Sequence, residues 1–342
     1  MLNRVQIESN INWLLKNGSP PVLYLTHKHL LRTGESELNK LWQPVPECPE
    51  AVEIFGKQEQ DGSWCAGGSW ASDPKSIPKA GYSAFTPKYN TIVWVLSVLG
   101  DMGFTVDDPR VRKAVDYTLT YQWENGLFSR FKYPQKSQQK LLGDEPDNAP
   151  CELGVFLVGL GKVNNTDISQ LNKSYGLLKD FQREDGGWVL ERHRLEKNWT
   201  RSCPWASYHA TAAMYHSKDP ANRDALIRGL EFLVWHFNLK KDSEIQRFFY
   251  HGHSTVHELL MLSEYEIGLD ERPVRSILEW LMTMYDETKG HFHYQGKPIG
   301  SYRFRQDYMN APVAKYRLHH LIEDDWLTYY GTRIGINLLK KE

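Results

Sequence analysis

The amino-acid sequence predicts an all-α protein that forms an α6/α6 barrel of repeated helical hairpins. Three observations lead to this fold class: a short motif that recurs along the chain, a shared way of opening helices, and an alternation of two kinds of helix. The chain has 342 residues, which is enough for six hairpins of roughly 57 residues each. We therefore expect a single domain that spans residues 1–342.

The recurring motif is Gln-x3-Gly-x-Trp. It is complete in QEQDGSWC (58–65) and QREDGGWV (182–189), and weaker copies are YQWENGLF (121–128) and YDETKGHF (285–292). Their spacing predicts a degenerate copy near 234–236 and repeat units that end near 64, 128, 188, 237 and 292. We interpret the motif as structural: the Gly supplies a left-handed turn at a helix end, and the Trp packs over the Gln amide and joins neighbouring repeats.

Two kinds of helix alternate between these motifs. Asp108-Pro109, Asp219-Pro220 and the stretch from Asp270 to Pro273 each supply an N-cap Asp and an early Pro, and the helices that follow are amphipathic. The segments between them are apolar nearly all round: Thr91–Leu99, Cys151–Leu160, Cys203–Met214 and Ser254–Ile267. A helix of that kind is buried on both sides, so the alternation indicates two concentric rings.

The composition excludes several classes of function. Lys and Arg number 41 against 42 Asp and Glu, so no net field attracts nucleic acid. The four Cys are too scattered for a disulfide framework, and neither a leader peptide nor an apolar run of the ~20 residues a membrane helix needs is present, so we expect a cytoplasmic protein with no integral membrane segment. The 12 Trp and 18 Tyr predict either an aromatic-lined cavity or ring packing between helices.

The motif, at this period and with Asp-Pro-opened outer helices, resembles the QW repeats of the terpenoid-cyclase and protein-prenyltransferase superfamily. The resemblance covers essentially the whole chain, whose length is similar to that of a single toroid, as in small bacterial prenyltransferase- or squalene-cyclase-like proteins. It implies a toroid whose central cavity binds a prenyl or polyprenyl substrate. The expected protein is thus an isoprenoid-acting enzyme, terpene cyclase-like or prenyltransferase-like.

The inner helices of such a toroid open onto one mouth, where helix N-termini suit a diphosphate head group. Arg194 and Lys197, followed by Cys203, resemble the prenyltransferase pattern in which Arg and Lys bind diphosphate and an Asp-x-Cys pair binds zinc with a later His. Arg201 occupies the position of that Asp, so the carboxylate ligand is missing. The candidate substrate-binding residues are Arg194, Lys197 and Arg201 at the mouth, and Tyr89, Trp94, Trp205, Tyr208 and Tyr250.

A different metal set is also available. Cys151, Cys203 and His253 begin three consecutive inner helices, and two thiolates with one imidazole form an open catalytic zinc shell. Lanthionine cyclases, another α/α-toroid family, are similar in using a Cys-Cys-His zinc site. The alternative is that the Cys side chains are small packed residues. Zinc and magnesium are the candidate metals, and no cofactor is assigned.

Cyclisation started by a proton needs a carboxylic acid that stays protonated in an apolar cavity. Asp147 is the candidate acid, with helix capping as its alternative; the sequence lacks the Asp-x-Asp-Asp motif of such cyclases, although Asp324-Asp325 resembles a fragment of it. His253 and His257 share a helix face, where they relay a proton, bind a metal, or simply pack in the core.

Three rival functions remain open in the sequence. The chain is alternatively a non-catalytic toroid that binds a lipid or a peptide, a Cys/His zinc-dependent toroid enzyme, or a sugar-acting α/α barrel, although no convincing lumenal pair of carboxylates supports the last. The sequence leaves the product and the need for a partner subunit undetermined.

Overall fold

The computed structural model describes residues 2–64, 92–128, 150–164, 169–189, 201–247, 249–250, 253–294 and 323–340. Within these ranges the chain is predominantly helical, and its strands are two-residue segments that form two antiparallel pairs. The predicted all-α class is therefore confirmed, while the closed ring of six hairpins stays a prediction. No helix in the described ranges is long and apolar enough to cross a membrane.

The helices are α1 (Arg4–Asn17), α2 (Pro20–Leu25), α3 (Glu35–Trp42), α4 (Pro49–Phe55), α5 (Ile92–Asp101), α6 (Pro109–Leu119), α7 (Pro150–Val163), α8 (Gln170–Asp180), α9 (Pro204–Ser217), α10 (Arg223–Asn238), α11 (Asp242–Ile245), α12 (Thr255–Tyr265), α13 (Arg272–Met282) and α14 (Asp324–Leu339). A π-helical turn (Thr26–Leu30) follows α2, and 3-10 turns (Val45–Glu47 and Pro220–Asn222) precede α4 and α10. The strands are β1 (Phe249–Tyr250), β2 (His253–Ser254), β3 (Tyr285–Asp286) and β4 (His291–Phe292).

The chain divides into two compact units. The first contains the described parts of 1–53, 234–305 and 315–342, and the second those of 54–233 and 306–314.

In the second unit, α7 packs against both α5 and α9. The described side chains of α5 are buried up to Leu99, and every residue of α9 from Ala206 to Met214 is buried. The approach of α7 to α9 is close, because a Cβ on Gly154 would lie 2.7 Å from the backbone carbonyl carbon of His209. By contrast, α6 and α8 bury one face each. The predicted alternation of amphipathic and fully buried helices is present in this unit.

In the first unit, α14 packs against both α1 and α12, and α12 also contacts α13. Helices α12 and α14 are buried along most of their length. Helix α13 is amphipathic, with Val274, Ile277 and Leu281 on its buried face. The same two kinds of helix therefore recur in this unit.

The helix openings follow the Asp-Pro pattern twice. The Asp108 side chain accepts from the Arg110 N–H at 2.8 Å and caps α6. The Asp219 side chain accepts from the Ala221 N–H at 2.8 Å, at the 3-10 turn before α10. At α13 the N-cap is Glu271, which makes no side-chain capping bond. The third opening therefore keeps the early Pro without the predicted Asp cap.

The second complete motif is held by its Gln and Trp side chains. The Gln182 amide donates to Gly186 O and to Ala225 O in α10, both at 2.9 Å. The Trp188 indole donates to Leu178 O at 2.7 Å, ten residues earlier in the chain. The Gln therefore links the turn to the next amphipathic helix, whereas the Trp fastens the turn to its own helix.

The first complete motif repeats this geometry. Gln58 donates to Gly62 O at 3.1 Å and to Arg110 O in α6 at 2.9 Å, and the Trp64 indole donates to Ile54 O at 2.7 Å. Gly62 has a φ of +93°, and a Cβ there would lie 2.6 Å from Lys113 O. Gly is required both for its left-handed backbone and for the close approach of α6. These contacts support the structural interpretation of the motif.

Two further Gln side chains make the same kind of link. Gln122 donates to Gln170 O and Ser174 Oγ in α8, both at 2.8 Å. Gln246 donates to Ser276 Oγ at 2.9 Å and Ser276 O at 3.2 Å in α13. The spacing predicted a degenerate copy of the motif near 234–236, but helix α10 continues through these residues. The equivalent Gln contact is made by Gln246, ten residues later.

The last copy of the motif packs against the first helix of the chain. Ser9 in α1 donates to Gly290 O at 3.0 Å, and Gln6 donates to Glu287 Oε1 at 2.7 Å. Helix α1 thus takes the place that the next amphipathic helix takes at the other copies.

Candidate functional site

Three predicted cavity residues lie around one buried histidine of the second unit. His209 in α9 contacts Trp205, Tyr208 and Trp94 edge-on, with ring centroids 4.7, 5.1 and 6.0 Å away. His209 is 2% exposed, Trp94 and Tyr208 are buried, and Trp205 is half-buried. Three of the five predicted aromatic residues therefore pack around His209.

The start of α9 holds two more predicted residues. Arg201 is exposed. Cys203 is the N-cap of α9, its thiol is buried, and its N–H donates to Trp188 O at 2.7 Å. Its backbone ties the Trp188 turn to the helix, which is a structural role.

The other predicted site residues of this chain are only partly covered. Tyr89, Asp147, Arg194 and Lys197 lie outside the described residues, and for Cys151, Tyr250 and His253 the description covers the backbone alone. The Cys151, Cys203 and His253 metal shell, the diphosphate site and Asp147 as the acid accordingly remain predictions.

Helix α12 of the first unit contains two adjacent ionisable residues. The His257 ring contacts Tyr330 of α14 edge-on, with centroids 4.9 Å apart. Glu258 is fully buried in α12. Burial raises the pKa of the Glu258 carboxyl well above its usual range, because desolvation disfavours the charged form. A buried carboxyl with a raised pKa is better suited to act as a general acid than an exposed one.

The helix that packs on α12 carries an aromatic cluster. In α14 the rings of Tyr329 and Tyr330 are 5.2 Å apart, and Trp326 lies 6.0 Å from Tyr330. His29 is hydrogen-bonded to the Tyr329 hydroxyl at 2.5 Å. Trp326, Tyr329 and Tyr330 together form this aromatic cluster.

Helices α9 and α14 share a sequence pattern that explains the two clusters. Trp205-Ala-Ser-Tyr-His in α9 corresponds to Trp326-Leu-Thr-Tyr-Tyr in α14. The hydroxyls match in structure too: Ser207 Oγ accepts the Trp188 N–H at 2.9 Å, and Thr328 Oγ1 accepts the Phe292 N–H at 3.1 Å. The pattern Trp-x-Ser/Thr-Tyr was readable in the sequence and identifies two equivalent helices.

Two imidazoles and a carboxylate converge at the start of α14. His293 Nδ1 lies 2.7 Å and His291 Nε2 lies 3.7 Å from the same oxygen, Asp324 Oδ2. His291 is buried, while His293 and Asp324 are partly exposed. Among the described residues, this is the group of three His, Cys, Asp or Glu side chains placed to hold a metal ion.

The sequence contained a signal for each residue that the prediction missed. Glu258 directly precedes the apolar run LLML (259–262) of α12. His291 and His293 alternate with Phe292 in an extended segment, so both imidazoles lie on the face opposite the buried phenyl ring. His209 lies in the interior of α9, away from the helix N-termini where the predicted site residues cluster.

Comparison with known proteins gives distant matches. No family model matches the chain. The chain is 25% identical over 230 aligned residues to squalene–hopene cyclase of Zymomonas mobilis subsp. mobilis, an alignment that covers 62% of this chain and 33% of that enzyme. The chain therefore spans about a third of the relative's length, and the match points to the terpenoid-cyclase superfamily.

A solved structure is also similar. The crystal structure of a protein from Actinoplanes aligns over 98% of each chain, at 12% identity and a TM-score of 0.41. The level of this similarity is too low to assign a function or a fold.

Proposed function

We propose that the chain is an isoprenoid-acting enzyme of the terpene-cyclase type, in which Glu258 supplies the proton that starts cyclisation. The observation that carries the proposal is the fully buried Glu258 on a helix that packs against the Trp326, Tyr329 and Tyr330 cluster. The partial similarity to squalene–hopene cyclase supports the same class of reaction.

The reaction needs an acid, and Glu258 meets that need. Its O–H transfers a proton to a terminal alkene carbon of the substrate, the alkene π electrons form the new C–H bond, and a tertiary carbocation remains. Ring closure follows as further alkenes attack that cation, and the last cation loses a proton or takes up water. The glutamate left behind is reprotonated from solvent, which its raised pKa favours.

The aromatic rings supply the second requirement. The faces of Trp and Tyr rings stabilise a cation through their quadrupole, by about 0.5–2 kcal/mol for each ring. Helix α14 carries three such rings, and His257 on α12 contacts one of them, Tyr330. We assign His257 to orienting that ring within the same site.

The test is product formation from farnesyl diphosphate, geranylgeranyl diphosphate and squalene, analysed by gas chromatography and mass spectrometry. We expect a cyclic product from the wild type. Glu258→Gln keeps the shape of the side chain but cannot donate a proton as an acid, so we expect the rate to fall by about 10²–10⁴-fold. The matched control is Glu264→Gln, on the same helix, where the side chain is 42% exposed and pairs with Arg333 at 3.6 Å.

The outcomes separate the candidate functions. Equal loss in Glu258→Gln and Glu264→Gln would contradict the assignment of the acid. Saturable binding of a substrate by the wild type without any product would instead favour the non-catalytic lipid-binding alternative.

A further inference from the structure

We propose that His291, His293 and Asp324 form a binding site for a divalent transition metal ion, and that Zn²⁺ is the ion this donor set fits best. The donors are two imidazole nitrogens and one carboxylate oxygen, which lie within 4.8 Å of one another. Two His and one carboxylate are an established ligand type for Zn²⁺ in proteins. This site is separate from the Cys151, Cys203 and His253 set predicted from the sequence.

The separations suit a bound ion. Zn²⁺ binds nitrogen and oxygen at about 2.0–2.2 Å, so neighbouring ligand atoms around a tetrahedral ion lie roughly 3.3–3.5 Å apart. The two contacts of Asp324 Oδ2 are 2.7 Å to His293 Nδ1 and 3.7 Å to His291 Nε2. Side-chain shifts of about half an ångström bring both into the range that tetrahedral coordination requires.

The surroundings orient two of the three ligands, His291 and Asp324. His291 Nδ1 lies 3.2 Å from Lys289 O, and a carbonyl can only accept, so Nδ1 carries the proton and Nε2 presents its lone pair. The Trp13 ring stacks on His291 at 4.0 Å and fixes its plane. The Tyr294 N–H donates to Asp324 Oδ1 at 3.2 Å, which leaves Oδ2 directed at the imidazoles. Outer contacts of this kind are typical of metal sites.

A metal-free explanation accounts for only part of this geometry. A hydrogen-bonded pair of His293 and Asp324 explains the 2.7 Å contact. That hydrogen bond does not involve His291 Nε2, which lies 3.7 Å from the same oxygen, a distance beyond a hydrogen bond. The side chains of His293 and Asp324 are 39% and 34% exposed, so an ion can enter from solvent. Three protein ligands leave a coordination position for water or an anion.

The test is titration of untagged, EDTA-treated and desalted protein with ZnCl₂ by calorimetry, repeated with Co²⁺ and followed by visible absorption. We expect about one equivalent of Zn²⁺ per chain. His293→Gln and Asp324→Asn should each weaken the affinity by about 10-fold or more, and should remove the Co²⁺ bands. Both side chains are partly exposed, so the fold should persist, which circular dichroism checks.

The matched control is His27→Gln, which removes an imidazole bonded to Thr33 Oγ1 elsewhere in the same unit. We expect it to bind Zn²⁺ like the wild type. The proposal fails if the wild type takes up no Zn²⁺, or if the folded His293 and Asp324 variants bind as the wild type does. It fails equally if Cys203→Ser abolishes Zn²⁺ binding and His293→Gln leaves it unchanged. Because the readout is metal binding, the result is independent of cyclase activity.

Discussion

Helix α9 with its Trp188 turn and helix α14 with its Phe292 turn are built on the same plan. In each, a hydroxyl one turn into the helix accepts the N–H of the aromatic residue of the turn. The difference lies in the carboxylate. In the first, Asp185 belongs to the turn and accepts from Ser202 N and Ser202 Oγ at the helix start. In the second, Asp324 belongs to the helix.

The displaced carboxylate changes what the site can do. Asp185 has its oxygens occupied by backbone and hydroxyl donors of Gly187 and Ser202. Asp324 instead faces two imidazoles, which have lone pairs to offer. One scaffold thus closes a turn with a carboxylate in one place and assembles ligand atoms in the other. The repeat determines the shared turn-and-helix structure, and the residues that differ between its copies determine which ligand atoms are present.

The largest effect should come from the shared aromatic residue. Trp188 and Phe292 are both fully buried. We expect Trp188→Ala and Phe292→Ala each to lower the free energy of unfolding by about 3–5 kcal/mol, because each leaves a cavity. Urea unfolding of both variants measures this. Similar losses support the common plan; a loss confined to one of them breaks the comparison.

The two carboxylates, Asp185 and Asp324, should differ in how much they contribute to the free energy of unfolding. Asp185→Ala removes three hydrogen bonds, to Gly187 N, Ser202 N and Ser202 Oγ, and should cost about 2–3 kcal/mol. Without metal, Asp324→Ala should cost less, about 1 kcal/mol, because its side chain is partly exposed. Adding ZnCl₂ should stabilise the wild type and the Asp185 variant but not the Asp324 variant. Thermal unfolding with and without Zn²⁺ tests the contrast.

A third buried helix, α12, differs from both because it carries a fully buried carboxyl, Glu258. An unfolded Glu has a pKa of about 4.3, and burial raises the folded pKa well above that. Between the two values the folded state holds a proton that the unfolded state has released, so stability falls as pH rises through this window. In this pH window, the free energy of unfolding of Glu258→Gln should rise relative to that of the wild type by about 1.4 kcal/mol per pH unit. Urea unfolding from pH 4 to 8 measures the gap; a constant gap would contradict the prediction.

The helices and turns could be predicted from the sequence more fully than the residues of the candidate sites. The period of apolar residues separated α5, α7 and α9 from the amphipathic α6, because burial on one side or on all sides leaves a direct trace in composition. The Gln-x3-Gly-x-Trp turns were also predictable, since a left-handed Gly and a buried Trp are local requirements.

The candidate metal ligands were harder to predict. His291 and Asp324 are far apart in sequence, and their approach depends on how α14 packs on the β4 turn. No periodicity of either segment contains that information. Asp324-Asp325 was recognised only as a fragment of an acidic motif, because a carboxylate at a helix start is equally suited to capping.

The last test concerns the hydroxyls that the two turns share. Thr328→Val keeps the side-chain shape but leaves the Phe292 N–H without its acceptor, and Ser207→Ala does the same to Trp188. Each should cost about 1–2 kcal/mol, the desolvation of one buried N–H. Both hydroxyls are fully buried, so the two losses should agree closely, as measured by urea unfolding at one pH. Thr332→Val is the control on the same face of α14: its hydroxyl donates to Thr328 O, which the helix already satisfies, so the loss should be smaller. A larger loss in Thr332→Val than in Thr328→Val would show that the turn contact is not what the hydroxyl provides.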